Sequence, residues 1–303
     1  MSRFAWAAAL FLAAAPAARA AEAPAPTQAV GVDVFSSSDA DDTRVSKVGV
    51  NLDWRYLGEG EYQGLRLERA IFRPLGQAAT RDMRVYYRFA GELGDWRAKG
   101  QAGTDGATVL GALNLQKPGR LNPELFLERE IVETPRGVRE GVYYTFAGGA
   151  FDVPLGERDN LTFVGAVQDF TGRNVRLHAR ANYVHVLQPD WGLSAQLRTR
   201  YFHSTEPREF DYFSPRDFTQ VLPTLQIRRR QAGWRYVVAA GLGAQRQTGG
   251  GWHQARSLSA QVITPPVGKV WSLDAAFAYS NTPVGAGYTY DYRQLNVSLR
   301  RRF

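Results

Sequence analysis

Over most of its length the chain alternates between apolar and polar residues, which is the pattern of β-strands with one apolar face. From residue 29 onward, strands of roughly nine to fourteen residues are separated by glycine, proline and aspartate turn signals, without any long helical period. We count sixteen strands, centred on Val32, Val50, Leu67, Val85, Ala98, Leu110, Leu127, Thr145, Val164, Arg180, Ala195, Leu225, Val238, Leu258, Ala275 and Val297. The turn at residues 117–120 is long, and merging two strands beside it would leave about fourteen.

The first twenty residues have the three parts of a secretory signal peptide. Arg3 supplies the positive start, residues 4–17 form an alanine-rich apolar core, and Ala18 and Ala20 form an A-x-A cleavage site. We therefore expect a signal peptide at residues 1–20 that is cleaved after Ala20. A short periplasmic leader at residues 21–28 and a barrel at residues 29–303 would follow.

The composition of the exported chain excludes membrane-spanning helices and is typical of a membrane β-barrel. Mean hydropathy is −0.33, and no later stretch offers the long apolar run that a membrane helix needs. Aromatic residues make up 12% of the chain, and tryptophans recur near strand ends on the apolar face, at Trp54, Trp191, Trp234 and Trp271. A soluble β-sandwich does not usually repeat an outward tryptophan in this way. The predicted fold is therefore all-β, a transmembrane antiparallel up-and-down β-barrel of a Gram-negative outer membrane.

The last strand is expected to close this barrel. Its apolar face consists of Leu295, Val297, Leu299 and Phe303. Outer-membrane barrels characteristically end in such a phenylalanine-terminated strand, which the barrel assembly machinery reads. Pairing of this strand with the first would remove the sheet edge. The polar face would then place Arg300 and Arg302 at the periplasmic mouth.

An even strand count with both termini in the periplasm orients the connections. The periplasmic turns are then short, and the longer loops lie outside, as is typical of such barrels. The longest loop, residues 204–218, is the only one long enough to fold into the lumen and constrict it, as a trimeric diffusion porin would require.

Charge and cysteine content exclude some functions. The chain has no cysteine, so neither disulfides nor thiol chemistry is available. Its 37 basic and 29 acidic residues give a net charge of +8, and the arginines are dispersed at alternating strand positions. Because the protein is exported and its arginines are dispersed in this way, we expect no nucleic-acid partner.

Since side chains alternate between the two faces of each strand, the polar positions can be assigned to the lumen face. This face carries roughly two basic residues for each acidic one. The pore-lining arginines are Arg55, Arg84, Arg88, Arg97, Arg176, Arg180, Arg198, Arg200, Arg235 and Arg300, with Arg66, Lys99 and Arg302 on the same face. The facing carboxylates are those of Asp53, Glu68, Glu128, Glu130 and Asp274. One interpretation is a positive pore that favours anionic or hydrogen-bond-rich solutes. The other is a structural one, in which arginine–carboxylate ladders fill the lumen.

Enzyme signatures are weak. The four histidines, His178, His185, His203 and His253, have no metal-ligand spacing, and no G-x-S-x-G elbow is present. We therefore predict no catalytic residue, no metal and no cofactor. The adjacent His203 and Ser204 resemble the His/Ser pairs of outer-membrane lipid hydrolases, but neighbouring residues on a strand point to opposite faces.

One loop carries a family resemblance. Tyr212, Phe213, Ser214 and Pro215, in the segment FDYFSPRDF, resemble the Y-[YF]-S-P segment in barrels of exopolysaccharide export porins. Examples are the cellulose-synthesis outer-membrane subunit and the poly-N-acetylglucosamine porin. The opening VDVFSSSDADDTRVSKVGV is similar to the first hairpin of those barrels. An aromatic anchor before a proline that starts a return strand is the simpler interpretation of this extracellular loop.

The resemblance implies passage of a nascent polysaccharide across the outer membrane. Members of that family usually carry a long tetratricopeptide scaffold ahead of the barrel, and here only the short leader precedes it. A separate periplasmic scaffold protein is therefore an implied partner, together with outer-membrane lipid and lipopolysaccharide. We expect a passive pore or export conduit for polysaccharide or another polar solute. A lipid-modifying enzyme and a structural or assembly barrel with a plugged lumen are the alternatives.

Overall fold

The computed structural model describes residues 27–40, 42–265, 270–282 and 291–303. The predicted signal peptide and most of the leader lie outside these residues, as do the turn at 266–268 and residues 283–287 of the loop at 282–287. The strands are β1 (Thr27–Ser38), β2 (Arg44–Gly58), β3 (Glu61–Arg73), β4 (Thr80–Leu93), β5 (Trp96–Thr104), β6 (Val109–Gln116), β7 (Glu124–Ile131), β8 (Tyr143–Pro154), β9 (Asp159–Phe170), β10 (Val175–Gln188), β11 (Leu193–Ser204), β12 (Asp217–Gln231), β13 (Trp234–Gln247), β14 (His253–Ile263), β15 (Trp271–Ser280) and β16 (Tyr292–Arg302).

The sixteen strands form one closed antiparallel barrel in sequence order, and this confirms the predicted fold class and strand count. Every predicted strand centre lies inside a different strand, so the fourteen-strand alternative is wrong. β16 pairs with β1 from Ala29 opposite Arg302 to Ser38 opposite Arg293. The terminal strand therefore closes the barrel, while recognition of Phe303 by assembly machinery stays a prediction.

The two faces of the wall are reversed relative to a soluble protein. Large apolar side chains such as Val32, Val50 and Leu67 are exposed on the outside, whereas Asn51 and Arg84 are almost fully buried on the inside. Strands with this arrangement suit a barrel whose outer surface contacts lipid, because a soluble fold would bury the apolar face. The lumen is consequently the polar core of this protein.

Aromatic side chains ring one end of the outer surface. Trp54, Trp191, Trp234 and Trp271 are all exposed there, next to the short turns. Arg301 lies over the rings of Trp271 and Phe303, with its guanidinium carbon 5.5 and 4.9 Å from their centroids. We call this end the tryptophan end, since rings at one level are typical of a membrane–water interface.

A β-bulge changes the position of one predicted lumen residue. The pairing of β2 with β3 skips Trp54, so that Asp53 pairs with Gly64 and Arg55 pairs with Gln63. Alternation is lost at a bulge, and Arg55 consequently lies on the outer surface, where it forms an exposed ion pair with Glu61. The structure therefore corrects the prediction that Arg55 lines the pore.

The long connections lie at the opposite end, which we call the loop end. The β7–β8 connection contains a helix, α1 (Pro135–Glu140), which the strand pattern did not predict. Thr134 caps its first turn by accepting from the N–H of Gly137, and Gly141 ends it in the left-handed conformation at φ 67°. Within the described ranges, no helix is long and apolar enough to cross a membrane.

Candidate functional site: the barrel lumen

The lumen is electrostatically asymmetric, and its first half is a network of paired charges. Arg66 on β3 forms ion pairs with Glu68, at 2.6 Å, and with Asp33. Its guanidinium lies flat against β2 at Gly49, where a Cβ would sit 2.5 Å from the guanidinium atoms. Asn51 donates to Asp33 at 2.7 Å and so shares the same carboxylate.

Arg84 on β4 connects this network to β7 on the lumen side of the barrel. Its side chain is completely buried and lies 3.2 Å from Asp82 and 3.5 Å from Glu68. It also contacts Glu130, on β7, at 3.0 Å. Because three carboxylates share one guanidinium, this part of the lumen matches the structural ladder interpretation.

Arg88 and Arg300, which lie near the tryptophan end, are also neutralised. The carboxylate of Asp53 is buried between Arg88, at 3.5 Å, and Arg300, at 3.9 Å. Arg300 also donates to the hydroxyl of Tyr56 at 2.9 Å and pairs with Glu59 in the β2–β3 turn. Burial alone would raise the pKa of Glu59, but the positive charges of Arg300 and Lys99 outweigh it and hold the pKa below its ordinary value.

The second half of the lumen, on β10–β13, contains one pair of arginines, Arg180 and Arg200, that has no such carboxylate partner among the described residues. Arg180 on β10 is the direct register partner of Arg200 on β11. The next residues in the same row are Val164 and Gln220, which are neutral. Among the described residues neither guanidinium has a carboxylate within ion-pair distance, and both Nε atoms are buried without a hydrogen-bond partner. Like charges directly opposite each other on paired strands are destabilising.

Further arginines lie on the lumen face on either side of this pair. We name the set the arginine track, and from the tryptophan end to the loop end it consists of Arg235, Arg230, Arg228, Arg198, Arg200, Arg180 and Arg176. The neutral Gln226 and Thr224 separate Arg228 from Leu222, the register partner of Arg198. Arg198 donates to Gln196 at 3.0 Å, and Arg235 is the register partner of Arg230. Sequence reasoning missed Arg228 and Arg230, although the alternation of β12 places both on the lumen face.

The remaining predicted lumen residue is separate from the track. Arg97, on β5, is exposed and shares a row with Glu92 and Gln116. Lys99, two residues along, faces the ring of Tyr62. Both therefore lie on the lumen face of the barrel, near its tryptophan end.

The segment predicted to be an extracellular loop is folded into the barrel. Tyr212, Phe213 and Ser214 are at most 5% exposed. Tyr212 stacks on Phe170 of β9, with ring centroids 4.2 Å apart, and its hydroxyl accepts from Asn174 at 2.8 Å. Burial raises the pKa of Tyr212 to about 12, so its hydroxyl remains protonated.

The β11–β12 connection also covers the end of the arginine track. Arg176, at the last position of the track, donates to the backbone oxygen of Phe213 at 2.6 Å. Its guanidinium lies over the ring of Phe202 at 4.4 Å. The track therefore ends directly beneath this folded connection.

The β7–β8 and β11–β12 connections lock onto each other across the loop end. Asp211 accepts from the hydroxyl of Thr134, at 2.5 Å, and from the backbone N–H of Arg136, at 2.7 Å. The guanidinium of Arg136 lies over the ring of Phe210, 4.6 Å from its centroid. We name these two connections the double loop.

The double loop is also attached to the opposite wall. Glu133 pairs with Lys47 on β2, and Val138 packs against the buried cluster formed by Phe35, Val45 and Phe72 with their neighbours. Burial alone would raise the pKa of Glu133, but the positive charge of Lys47, together with Arg84, outweighs it and holds the pKa below its ordinary value. The double loop therefore reaches from β7–β12 to β1–β3 across the lumen.

The predicted His/Ser pair is divided by the barrel wall. Ser204 is fully buried on the lumen side, where its hydroxyl accepts from Arg176 at 3.3 Å. His203 points outward and contacts Asp217 at 2.9 Å. Within the described ranges, no three His, Asp or Glu side chains are grouped as a metal site would require.

Comparison with known proteins bears on the fold. No family model matches the chain, and no curated protein matches it. A bacterial polysaccharide outer membrane secretin aligns with 90% of this chain and 98% of its own, at 14% identity and a TM-score of 0.67. Acinetobacter baumannii OccAB3 aligns with 92% of this chain and 100% of its own, at 9% identity and a TM-score of 0.45. A KdgM porin in complex with disordered oligogalacturonate aligns with 90% and 99%, at 8% identity and a TM-score of 0.37. The chain therefore has the fold of outer-membrane barrels.

Proposed function

We propose that the protein is a passive conduit in the Gram-negative outer membrane whose cargo is an anionic polysaccharide or a related anionic polar solute. The observation that carries this proposal is the pair of opposed guanidinium groups on Arg180 and Arg200, which have no carboxylate partner among the described residues. A carboxylate or sulfate group of a passing solute would supply the missing counter-charge, since guanidinium binds such groups through paired hydrogen bonds.

The length of the arginine track favours a polymer over a small ion. It runs from Arg235 near the tryptophan end to Arg176 beneath the double loop. A chain with regularly spaced negative charges can exchange one arginine for the next as it moves, so no single site holds it tightly. The fold shared with a polysaccharide secretin is in keeping with such a cargo, and a separate periplasmic scaffold would belong to the same proposal.

The double loop would act as a gate. Its contacts lie at the end where a polymer would leave, so passage requires that the contacts around Asp211 and Glu133 open. A plugged structural barrel is the second candidate, and the same contacts favour it. The lipid-modifying alternative has less support, because Ser204 lies on the opposite side of the wall from His203.

Current block by oligosaccharides in planar bilayers tests the conduit. We expect short uronic-acid oligosaccharides to block the current, and neutral oligosaccharides of equal length to have little effect. In R180Q/R200Q the block should need roughly tenfold more oligosaccharide or more, because a hydrogen bond to a charged group contributes about 1.5–3 kcal/mol. The matched control is R158Q/R229Q, which removes two positive charges outside the lumen.

A second variant separates the conduit from the plugged barrel. Replacing residues 206–214 with a short Gly/Ser linker removes one half of the double loop. If neither the wild type nor this variant conducts, the conduit proposal is wrong and the barrel is structural. Equal block of both by neutral and acidic oligosaccharides would show a pore without the proposed charge preference.

A further inference from the structure

A row of outward-facing arginines lies at the loop end of the barrel, on the strands that flank the closure. Arg293 on β16 is the register partner of Ser38 on β1. Ser38 is also the partner of Arg44 on β2, and Arg44 is the partner of Arg73 on β3. Arg81 on β4 lies one outward position lower, opposite Ile71. We name these four arginines the arginine rim.

The burial of neighbouring residues establishes that the rim faces outward. Val45 and Phe72, which adjoin Arg44 and Arg73 in sequence, are buried in an inward cluster. Asp82, beside Arg81, contacts Arg84 inside the lumen. Because side chains alternate along a strand, the rim arginines point away from the lumen, and all four are exposed.

The rim arginines differ from the outward arginines at the tryptophan end. There Arg55 pairs with Glu61, Arg229 lies over Trp191 and Arg301 lies over Trp271. Among the described residues, the rim arginines form no ion pair with a carboxylate. Asp291, an acidic residue near the rim, accepts instead from the hydroxyl of Tyr279 at 2.6 Å.

The geometry of the row adds an electrostatic cost. Arg44 and Arg73 are direct cross-strand partners of like charge, which is destabilising unless an anion lies between them.

The row also has a fixed height above the apolar surface. Leu295, the last large apolar residue on the outer face of β16, is one outward position below Arg293, or roughly 7 Å along the strand.

We propose that the arginine rim binds the phosphate groups of glycolipid headgroups in the leaflet that surrounds the loop end. Phosphates lie at the height just above the hydrocarbon layer, and guanidinium groups bind them through paired hydrogen bonds. Several arginines in one row would contact neighbouring headgroups and hold the closure strands in a fixed lipid shell. This proposal concerns the outer surface and is independent of the cargo in the lumen.

Thermal unfolding of the full chain in nanodiscs tests the proposal. The probes are discs of phosphatidylcholine alone and discs that also contain bisphosphorylated lipid A or its dephosphorylated form. We expect bisphosphorylated lipid A to raise the Tm of the wild type, and the dephosphorylated form to leave it unchanged. The apparent affinity for lipid A should fall roughly ten- to thirtyfold in R44Q/R73Q, since each surface arginine contributes about one kcal/mol to anionic lipid binding.

The control R158Q/R229Q, with the same change in net charge at the other end, should behave as the wild type. If R44Q/R73Q does not fold, R81Q/R293Q and the comparison of the two lipid A forms on the wild type replace it. Equal stabilisation by both lipid A forms overturns the proposal. Stabilisation by inorganic phosphate alone, without any further effect of lipid A, also overturns it and assigns the rim to free anions.

Discussion

The carboxylate of Asp211 accepts a hydrogen bond from the backbone N–H of Arg136 at 2.7 Å, and this contact joins the two connections that cross the loop end of the barrel. The same carboxylate accepts from the hydroxyl of Thr134, which caps helix α1. One side chain therefore holds the helix of the first connection against the aromatic segment of the second. Only a few hydrogen bonds make up this contact, so we expect single substitutions to break it without disturbing the barrel wall.

Replacing Asp211 with alanine should loosen the double loop. The change removes two hydrogen bonds to an ionised carboxylate, and we expect the open probability in single-channel recordings to rise roughly tenfold or more. The free energy of unfolding of the barrel should change little. D190A, in an exposed turn at the tryptophan end, is the control, and an equal rise in that variant would contradict the assignment of Asp211.

Acidification should open the same gate through Glu133. Its pKa in the closed structure lies below the ordinary value of 4.5, because Lys47 faces it, so the ionised form stabilises the closed state. That contribution is fully present above the ordinary pKa and is lost as pH falls toward the lowered one. Conductance should therefore be constant from pH 7 down to about pH 4.5 and rise below it. E133Q should lack this rise, whereas E157Q, in an exposed turn, should retain it.

Among the predicted lumen arginines, we expect substitution of Arg84 to lower the free energy of unfolding most. R84Q leaves Glu68, Glu130 and Asp82 without their shared guanidinium. We expect a loss of about 3–5 kcal/mol in the free energy of unfolding, measured by urea denaturation in detergent. R97Q, which removes an exposed lumen arginine, should change it by less than about 0.5 kcal/mol. Similar losses in both variants would show that the paired network is not what stabilises this half.

Adding a carboxylate beside the unpartnered pair should have the opposite effect. Gln220 is the register partner of Arg200, so Q220E places a negative charge next to it. Gln220 donates to Gln245 at 3.0 Å and to Thr282 at 2.8 Å, and Q220E loses both hydrogen bonds. The reference is therefore Q220M, which loses the same bonds without adding a charge. At low ionic strength we expect the free energy of unfolding of Q220E to exceed that of Q220M by about 0.2–1 kcal/mol. A Q220E that is no more stable than Q220M would contradict the prediction.

The strands and their faces could be predicted because they depend on local alternation. All sixteen centres, the outward tryptophans and the lumen positions of Arg180 and Arg200 followed from a period of two. Parity fails only where a bulge interrupts it, as at Trp54, and this is why Arg55 was placed on the wrong face.

The double loop and the charge asymmetry could not be predicted in this way. Tyr212 is buried because it stacks on Phe170, and Asp211 contacts Thr134, a residue 77 positions away. The lumen arginines look alike in sequence, and which of them face carboxylates depends on which strands the closed barrel brings together. Arg84 reaches Glu130 from β4 to β7, whereas Arg180 faces another arginine.

Ion selectivity tests the central claim most directly, because it reports the electrostatic field of Arg180 and Arg200 in the lumen. The measurement is the reversal potential in planar bilayers under a KCl gradient, with the loop-shortened variant used to ensure an open pore. We predict clear anion preference in this variant and its loss when R180Q/R200Q is added, while R158Q/R229Q leaves it unchanged. Cation preference, or an anion preference that R180Q/R200Q does not alter, would contradict the proposal of an anion conduit.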